Sequence, residues 1–297
     1  MTRRILLAAT SALATLAAPL AARAADCPAQ PIRFGVIPYD SSAGFVPLYK
    51  TMAHLLSERL GCPVELQIGT SYNATIEAMR AGKVDIAEYG PLSYVLAHEV
   101  AHAEVVATYS NADGTPATYT AGIATWPGSG ITDLKGVAGK SFAYSDPAST
   151  SGHLFPAYGL AQDGIDPDKG IRAIYAGSHT ASFEALRNHK VEAGELNSSE
   201  IASATVAGIY KPEDYVTLWT SKPIPQDPIT VRSDLDPALK GRITEALQGL
   251  DFSSIPEDQR KIINVPGTKL VPQTDAAFDQ IRDLVHVLHI DLTKLAS

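Results

Sequence analysis

Strands and helices take turns along this chain, and that alternation restricts the fold more than any other feature. Residues 32–37 read as a short strand. Residues 45–60 place Leu48, Met52, Leu55, Leu56 and Leu60 at helical spacing, with Gly61 as a stop. A strand at 64–68, a helix at 72–81 closed by Gly82, a strand at 84–87 and a helix at 92–101 continue the pattern. Such an order builds a parallel sheet covered by helices. It breaks twice. Residues 118–125 form a β-branched, extended run, and residues 215–220 form another, followed by a rigid loop carrying Pro223, Pro225 and Pro228. Between them lies a second alternating set: a strand at 141–144, a helix from near Ser149, a strand at 171–175, a helix at 181–188 and a short strand at 191–196. Helices at 237–250 and 278–288 finish the chain. Reading the two extended runs as crossovers gives a discontinuous first lobe, 25–117 with 223–297, and an inserted second lobe, 118–222. A cleft between two lobes is where small ligands usually sit.

The N-terminus sets the compartment. Arg3 and Arg4 precede an apolar, Ala- and Leu-rich stretch, and Ala22-Arg23-Ala24 supplies a cleavage pattern. Residues 1–24 thus read as a secretory signal peptide cut before Ala25, which makes the expected location periplasmic. Asp26, directly before Cys27, argues against a lipoprotein. The leader holds three of the 24 basic residues and none of the 32 acidic ones, so the remainder is more negative than the −8 of the whole chain. That balance argues against nucleic acid and anionic membranes as partners. An anionic ligand must then be held by local dipoles and hydroxyls. Cys27 and Cys62 are the only cysteines, and in an oxidising compartment they read as one disulfide.

The most informative segment for chemistry is Asp146-Pro147-Ala148-Ser149-Thr150-Ser151-Gly152. It follows a strand and opens a helix. Unpaired N–H groups and the helix dipole favour an anion there, and three consecutive hydroxyls add donors without adding charge. Plain N-capping by Ser149 or Thr150 explains one hydroxyl but not three.

With this segment in place the sequence resembles the phosphonate/phosphite/phosphate-binding proteins of ABC importers, the PhnD-like group. The blocks that carry the resemblance occur in order: Tyr72 within Ser71-Tyr72-Asn73-Ala74-Thr75-Ile76, the run from Val84 to Tyr94, the Ser149–Ser151 segment, Gly177-Ser178-His179, Val191-Glu192-Ala193-Gly194, and Ile224-Pro225-Gln226-Asp227-Pro228-Ile229. The resemblance implies an α/β, type II periplasmic-binding fold with two lobes joined by two crossover strands. It implies that Ser149, Thr150 and Ser151 cradle phosphorus oxygens, that His179 adds a donor, and that Tyr72 and Tyr89 close the pocket from the first lobe. It also implies two carboxylates for the ammonium group of an aminophosphonate. Asp227 matches one. The other position falls on Ser199, with Glu200 one residue later and Glu195 as a further candidate. The expected function is therefore capture of a phosphonate, with 2-aminoethylphosphonate as one candidate and phosphite, methylphosphonate or phosphate as alternatives. The expected partner is an ABC permease with a cytoplasmic ATPase; no cofactor is expected, and the protein is expected to act as a monomer.

Strand alternation over 84–89 is expected to send Glu88 and Tyr89 to opposite sides, with Glu88 away from the cleft, toward a hinge or a partner. The competing classes are a periplasmic phosphoesterase with Ser149 or Ser151 as nucleophile, and a sensor that docks a membrane kinase. Against an enzyme, the chain has no Gly-x-Ser-x-Gly elbow and no tight His/Asp cluster suited to two metals. His98 and His102, four residues apart, read as a solvated helix face; a metal site is not expected.

Overall fold

The structure, a computed structural model, describes residues 27–295. The expected signal peptide and its cleavage site lie outside the described residues. Among the described residues no helix is long and apolar enough to cross a membrane.

Two mixed sheets organise the chain. The first is built from β1 (Ile32–Val36), β2 (Val64–Ile68), β3 (Ile86–Glu88) and β4 (Ala103–Tyr109), joined by two strands from far along the chain, β12 (Pro228–Arg232) and β13 (Leu270–Pro272). Its order is β13-β4-β12-β3-β1-β2. β1 pairs in parallel with β2 and β3, while β12 runs antiparallel to β3 and β4. The second sheet has the order β10-β6-β9-β7-β8, from β6 (Gly122–Thr125), β7 (Ser141–Tyr144), β8 (Arg172–Tyr175), β9 (Ala193–Glu195) and β10 (Val216–Thr220). A two-stranded ribbon links the sheets: β5 (Thr118–Tyr119) pairs antiparallel with β11 (Ile224–Pro225).

The ribbon corrects the expected crossovers. Residues 118–125 divide into a short linking strand and β6, an integral strand of the second sheet. Residues 215–220 are not the return crossing. They form β10, an edge strand antiparallel to β6. The return runs through Ile224–Pro225, inside the segment read as a rigid loop. Proline is tolerated there because a two-stranded ribbon leaves N–H groups on each outer edge without ladder partners.

The first helices match their sequence signals. α1 (Phe45–Leu60) buries Leu48, Met52, Leu56 and Leu60, and ends where Gly61 takes the left-handed conformation (φ 66°). α2 (Tyr72–Arg80) starts at Ser71, whose hydroxyl accepts from the Ala74 N–H. α3 (Pro91–Ala101) follows Gly90, with Pro91 at its first position. Further on come α4 (Phe155–Gln162), α5 (His179–Arg187), α6 (Ser198–Val206), α7 (Pro237–Gln248), α8 (Glu257–Arg260) and α9 (Asp279–Val287). The core of the first sheet gathers Phe34, Leu48, Tyr49, Met52, Ile243 and Phe252 on one face. On the other face Tyr72, Ile76, Tyr89, Leu96 and Phe278 pack together with Ala148, Leu154 and Phe155 from the second-sheet side. The expected disulfide between Cys27 and Cys62 is present, with Cα atoms 5.5 Å apart.

Candidate ligand-binding site

Five helices begin at one place. Tyr72 opens α2, Gly90 is the N-cap of α3, Ser149 caps the turn leading into α4, His179 opens α5, and Asn197 caps α6. All five residues line one cavity of about 40 Å³. Each helix start brings N–H groups without intrahelical partners and the positive end of a dipole. Groups that favour an anion are thus present locally in a chain of negative net charge.

Ser149, Thr150 and Ser151 all line this cavity and are buried. Ser149 Oγ accepts from the Gly152 N–H at 3.1 Å. Residues Thr150–Leu154 form a single π-turn before α4, a widened turn often found at functional sites. Gly152 is required by close approach: a Cβ there would lie 1.8 Å from Ser145 Oγ and 2.8 Å from His179 Cε1. The absent side chain lets the His179 ring lie against the hydroxyl turn, with Nε2 3.4 Å from Ser149 Oγ.

The hydroxyl turn also fastens the two sheets' halves together. Thr150 Oγ1 accepts from the Leu92 N–H at 2.7 Å, so a first-turn N–H of α3 is capped from across the cleft. Ser93 Oγ donates to Ala148 O at 2.8 Å, and the His179 N–H donates to Tyr39 O at 3.0 Å. The Asp146 carboxylate lies near the Tyr72 N–H at the start of α2. The Tyr72 hydroxyl lies near Ser149.

The first lobe also contributes an acid and an amide. Asp227 and Gln226 line the cavity from the turn between β11 and β12. Gln226 Nε2 donates to Ile263 O at 2.9 Å, while its buried Oε1 has no hydrogen-bond partner among the described residues. Burial pushes the Asp227 carboxyl up to about 7, against the opposing pull of His179. The cavity lining therefore combines donors from helix starts of both lobes with one carboxyl.

Of the eight ligand-contact residues expected from sequence, six come together here: Tyr72, Ser149, Thr150, Ser151, His179 and Asp227. Two do not. Tyr89 is fully buried, and its hydroxyl donates to Thr75 O behind the cavity. The strand ends at Glu88, and Tyr89 turns back under α2. Glu200 is also set back. Its Oε2 lies 3.5 Å from Thr180 Oγ1, because α6 starts at Ser198 and carries the third helical position off the cavity wall, toward Asp40 at the junction of the lobes. Ser199, one residue earlier, lines the cavity. Glu88 is not directed at a hinge or a partner. It is buried inside the first lobe, where it accepts from Tyr49 Oη (2.5 Å) and Tyr109 Oη (2.7 Å). Burial first, then the charge of Asp227, raises it to about 8.

Sequence reasoning missed Tyr39 and Tyr119 as cavity walls. Tyr119, on β5, brings its hydroxyl near Ser151 and Thr150. Its signal was present, since it lies in the linking segment where a cleft residue must sit. Tyr39, next to Asp40, carried no distinguishing pattern. Among the described residues no group of three or more His, Cys, Asp and Glu is placed to hold a metal ion.

A family model described as "ABC transporter, phosphonate, periplasmic substrate-binding protein" matches residues 34–278. The chain belongs to this family. Family members are substrate-binding transport proteins of ABC systems, and the two sheets are the two lobes of a type II periplasmic binding protein. Two curated relatives are each 28% identical. The phosphate-import protein PhnD of Mycolicibacterium smegmatis aligns over 273 residues, 86% of this chain and 85% of its own. The phosphonates-binding periplasmic protein of Escherichia coli aligns over 277 residues, 92% and 80%. A solved binding-protein component of an ABC phosphonate transporter from Pseudomonas aeruginosa superposes with a TM-score of 0.76 at 27% identity, covering 88% of this chain and 87% of that one. At equal identity one relative is named for phosphate and the other for phosphonates, so family membership leaves the ligand to the cavity's chemistry.

Proposed function

We propose that this protein captures a small phosphonate bearing an ammonium group, of the 2-aminoethylphosphonate type, and delivers it to an ABC permease with a cytoplasmic ATPase. The observation that carries this reading is the polarity of the cavity. Hydroxyls, helix N-termini and His179 share its lining with Asp227 and Gln226. The phosphonate oxygens replace their hydration with the donors of Ser149, Thr150, Ser151 and His179. The ammonium replaces its own with Asp227 and Gln226. Tyr39, Tyr72 and Tyr119 enclose the remainder.

A specific observation favours a second reading. Where the resemblance implies another carboxylate the chain has Ser199, and about 40 Å³ holds roughly three waters by the usual space requirement. Phosphite or methylphosphonate suits that volume, with one proton shared between Asp227 and the ligand.

In both readings the ligand leaves unchanged, and the protein acts as a monomer without a cofactor rather than as an enzyme. The lobes are 25–117 with 223–297, and 118–222; residues 1–24 are the leader removed on export. Isothermal titration calorimetry on ligand-free protein with 2-aminoethylphosphonate, methylphosphonate, phosphite and phosphate tests the proposal. Tight binding of the aminophosphonate with weak binding of the others is the expected result. A preference for methylphosphonate or phosphite selects the second reading. Silence across the panel removes both.

A further inference from the structure

His179 is backed by an acid that ligand capture as described leaves unused. Glu195 ends β9, the central strand between β6 and β7, and is 1% exposed. Its Oε1 lies 2.9 Å from His179 Nδ1, and its Oε2 has no hydrogen-bond partner among the described residues. It does not line the cavity; it reaches the ligand position only through the imidazole.

A second group approaches the same nitrogen. Asn197 Nδ2 is 2.9 Å from His179 Nδ1. The orientation of that amide is fixed, because Asn197 Oδ1 accepts from the Ser199 and Glu200 N–H groups at 2.8 and 2.9 Å. Asn197 thus offers His179 a donor, and Glu195, when ionised, offers only acceptors. Nδ1 satisfies one of them, and the choice fixes the charge needed at Nε2. If Nδ1 accepts from Asn197, a neutral ring presents Nε2–H. If Nδ1 donates to Glu195, a neutral ring presents a bare Nε2 lone pair to the anion, and only an imidazolium offers a proton. A buried carboxylate with one oxygen unpartnered is costly without a countercharge. The ionic pairing supplies that countercharge, and the neutral one leaves Glu195 without it.

We propose that Glu195 is a positioning residue that holds His179 as an imidazolium, so that Nε2–H faces the ligand anion as a charged donor beside Ser149. This rests on the reading of the cavity as an oxyanion site and adds the source of its one fixed positive side-chain charge. Four acids face the ring: Glu195 on β9, Glu200 on α6, Asp227 on the β11–β12 turn, and Asp146 after β7. Burial opposes the imidazolium, but the charge and hydrogen bond of Glu195, with Glu200 and Asp227 behind it, hold its pKa above the ordinary value. Glu195 is the acid in direct contact. A charged donor forms a shorter and stronger bond to an oxyanion than a neutral one.

The test is long-range ¹H–¹⁵N NMR of the His179 ring in ligand-free protein, assigned by comparison with His179→Gln. At pH 7.5 both ring nitrogens of the natural protein are expected at imidazolium shifts, and those of Glu195→Gln at neutral-ring shifts. In parallel, methylphosphonate affinity is measured from pH 5.5 to 8. Glu195→Gln is expected to weaken it roughly tenfold or more at pH 7.5, with the deficit shrinking toward acid pH. A neutral His179 in the natural protein overturns the proposal whether or not Glu195→Gln folds. So does a Glu195→Gln protein with unchanged titration or unchanged affinity at every pH. If the natural protein binds none of the phosphorus oxyanions yet shows the imidazolium, the oxyanion reading fails and the Glu195–His179 pairing stands.

Discussion

At the scale of single residues, the hydroxyl of Thr150 has two tasks. It accepts from the Leu92 N–H across the cleft and retains one proton to donate. Thr150→Val removes both and leaves a buried N–H unpaired whenever the lobes are together, a loss on the order of 1–3 kcal/mol. Ligand affinity is expected to fall roughly tenfold or more, with the circular-dichroism spectrum unchanged; calorimetry that finds full affinity places the anion elsewhere. Asp227 separates the two ligand readings by the sign of a pH slope. Its carboxyl is pushed up to about 7. An ammonium ligand needs the ionised form, so its affinity declines as pH falls through about 7, whereas an amine-free oxyanion gains from the protonated acid and binds more weakly as pH rises through the same range. Glu88 on β3, and the hydroxyls of Tyr39, Tyr72 and Tyr119, also lie in this field. The ratio of natural protein to Asp227→Asn isolates the contribution of Asp227. With Asp227→Asn an aminophosphonate is expected to lose roughly tenfold or more at pH 8, and methylphosphonate to lose nothing.

At the scale of elements, the disulfide joins the start of the described chain to the residue after α1's glycine stop. Closing a loop with a sequence separation of 35 stabilises by about 3–4 kcal/mol in the chain-entropy account. The double variant Cys27→Ala/Cys62→Ala is expected to unfold at a distinctly lower denaturant midpoint with ligand affinity retained, since neither cysteine lines the cavity. An unchanged midpoint shows that the bridge constrains nothing. Elements with local signals were legible in the sequence: α1 by its spacing and Gly61, α2 by its Gly82 stop, and the Ser149–Ser151 turn by three hydroxyls before a glycine. Elements fixed by distant partners were not. β12 and β13 are strands because they add to β4 from more than a hundred residues away. No element was expected over α6, where Asn197 is nevertheless a helix cap. The misplacement of Tyr89 and Glu200 has the same origin. Sequence order gives the face a residue should take on its own element, but the turn after β3 and the start of α6 decide which way the element points.

At the scale of the molecule, the lobes meet through hydrogen bonds that link polar groups on opposite sides of the cleft, and one contact carries a proton-dependent cost. Asp40, after β1, accepts from Ser203 Oγ on α6 at 2.9 Å, and the Ser41 N–H meets Thr180 Oγ1 on α5 at 3.2 Å. Glu200 lies in this same junction, and both acids are buried. Burial, then the charge of Asp40, raises the Glu200 carboxyl to about 8; His179 pulls it down and Glu195 pushes it up. Separated lobes return it toward its ordinary value of 4.5. Hinge closure therefore favours the protonated acid. The contribution is fully present below the open-form value and is lost as pH rises through the closed-form value of about 8. Glu200→Gln keeps the shape and removes the titration. Its ligand affinity, relative to the natural protein, is expected to be near unity at pH 4 and roughly tenfold or more tighter at pH 8, and the ligand-induced fall in radius of gyration seen by small-angle scattering should persist at pH 8 at ligand concentrations where the natural protein has begun to open. A ratio that stays flat across that range, with the scattering change equal in both proteins, means that Glu200 keeps its proton balance on closure and that the lobes meet without a titrating junction.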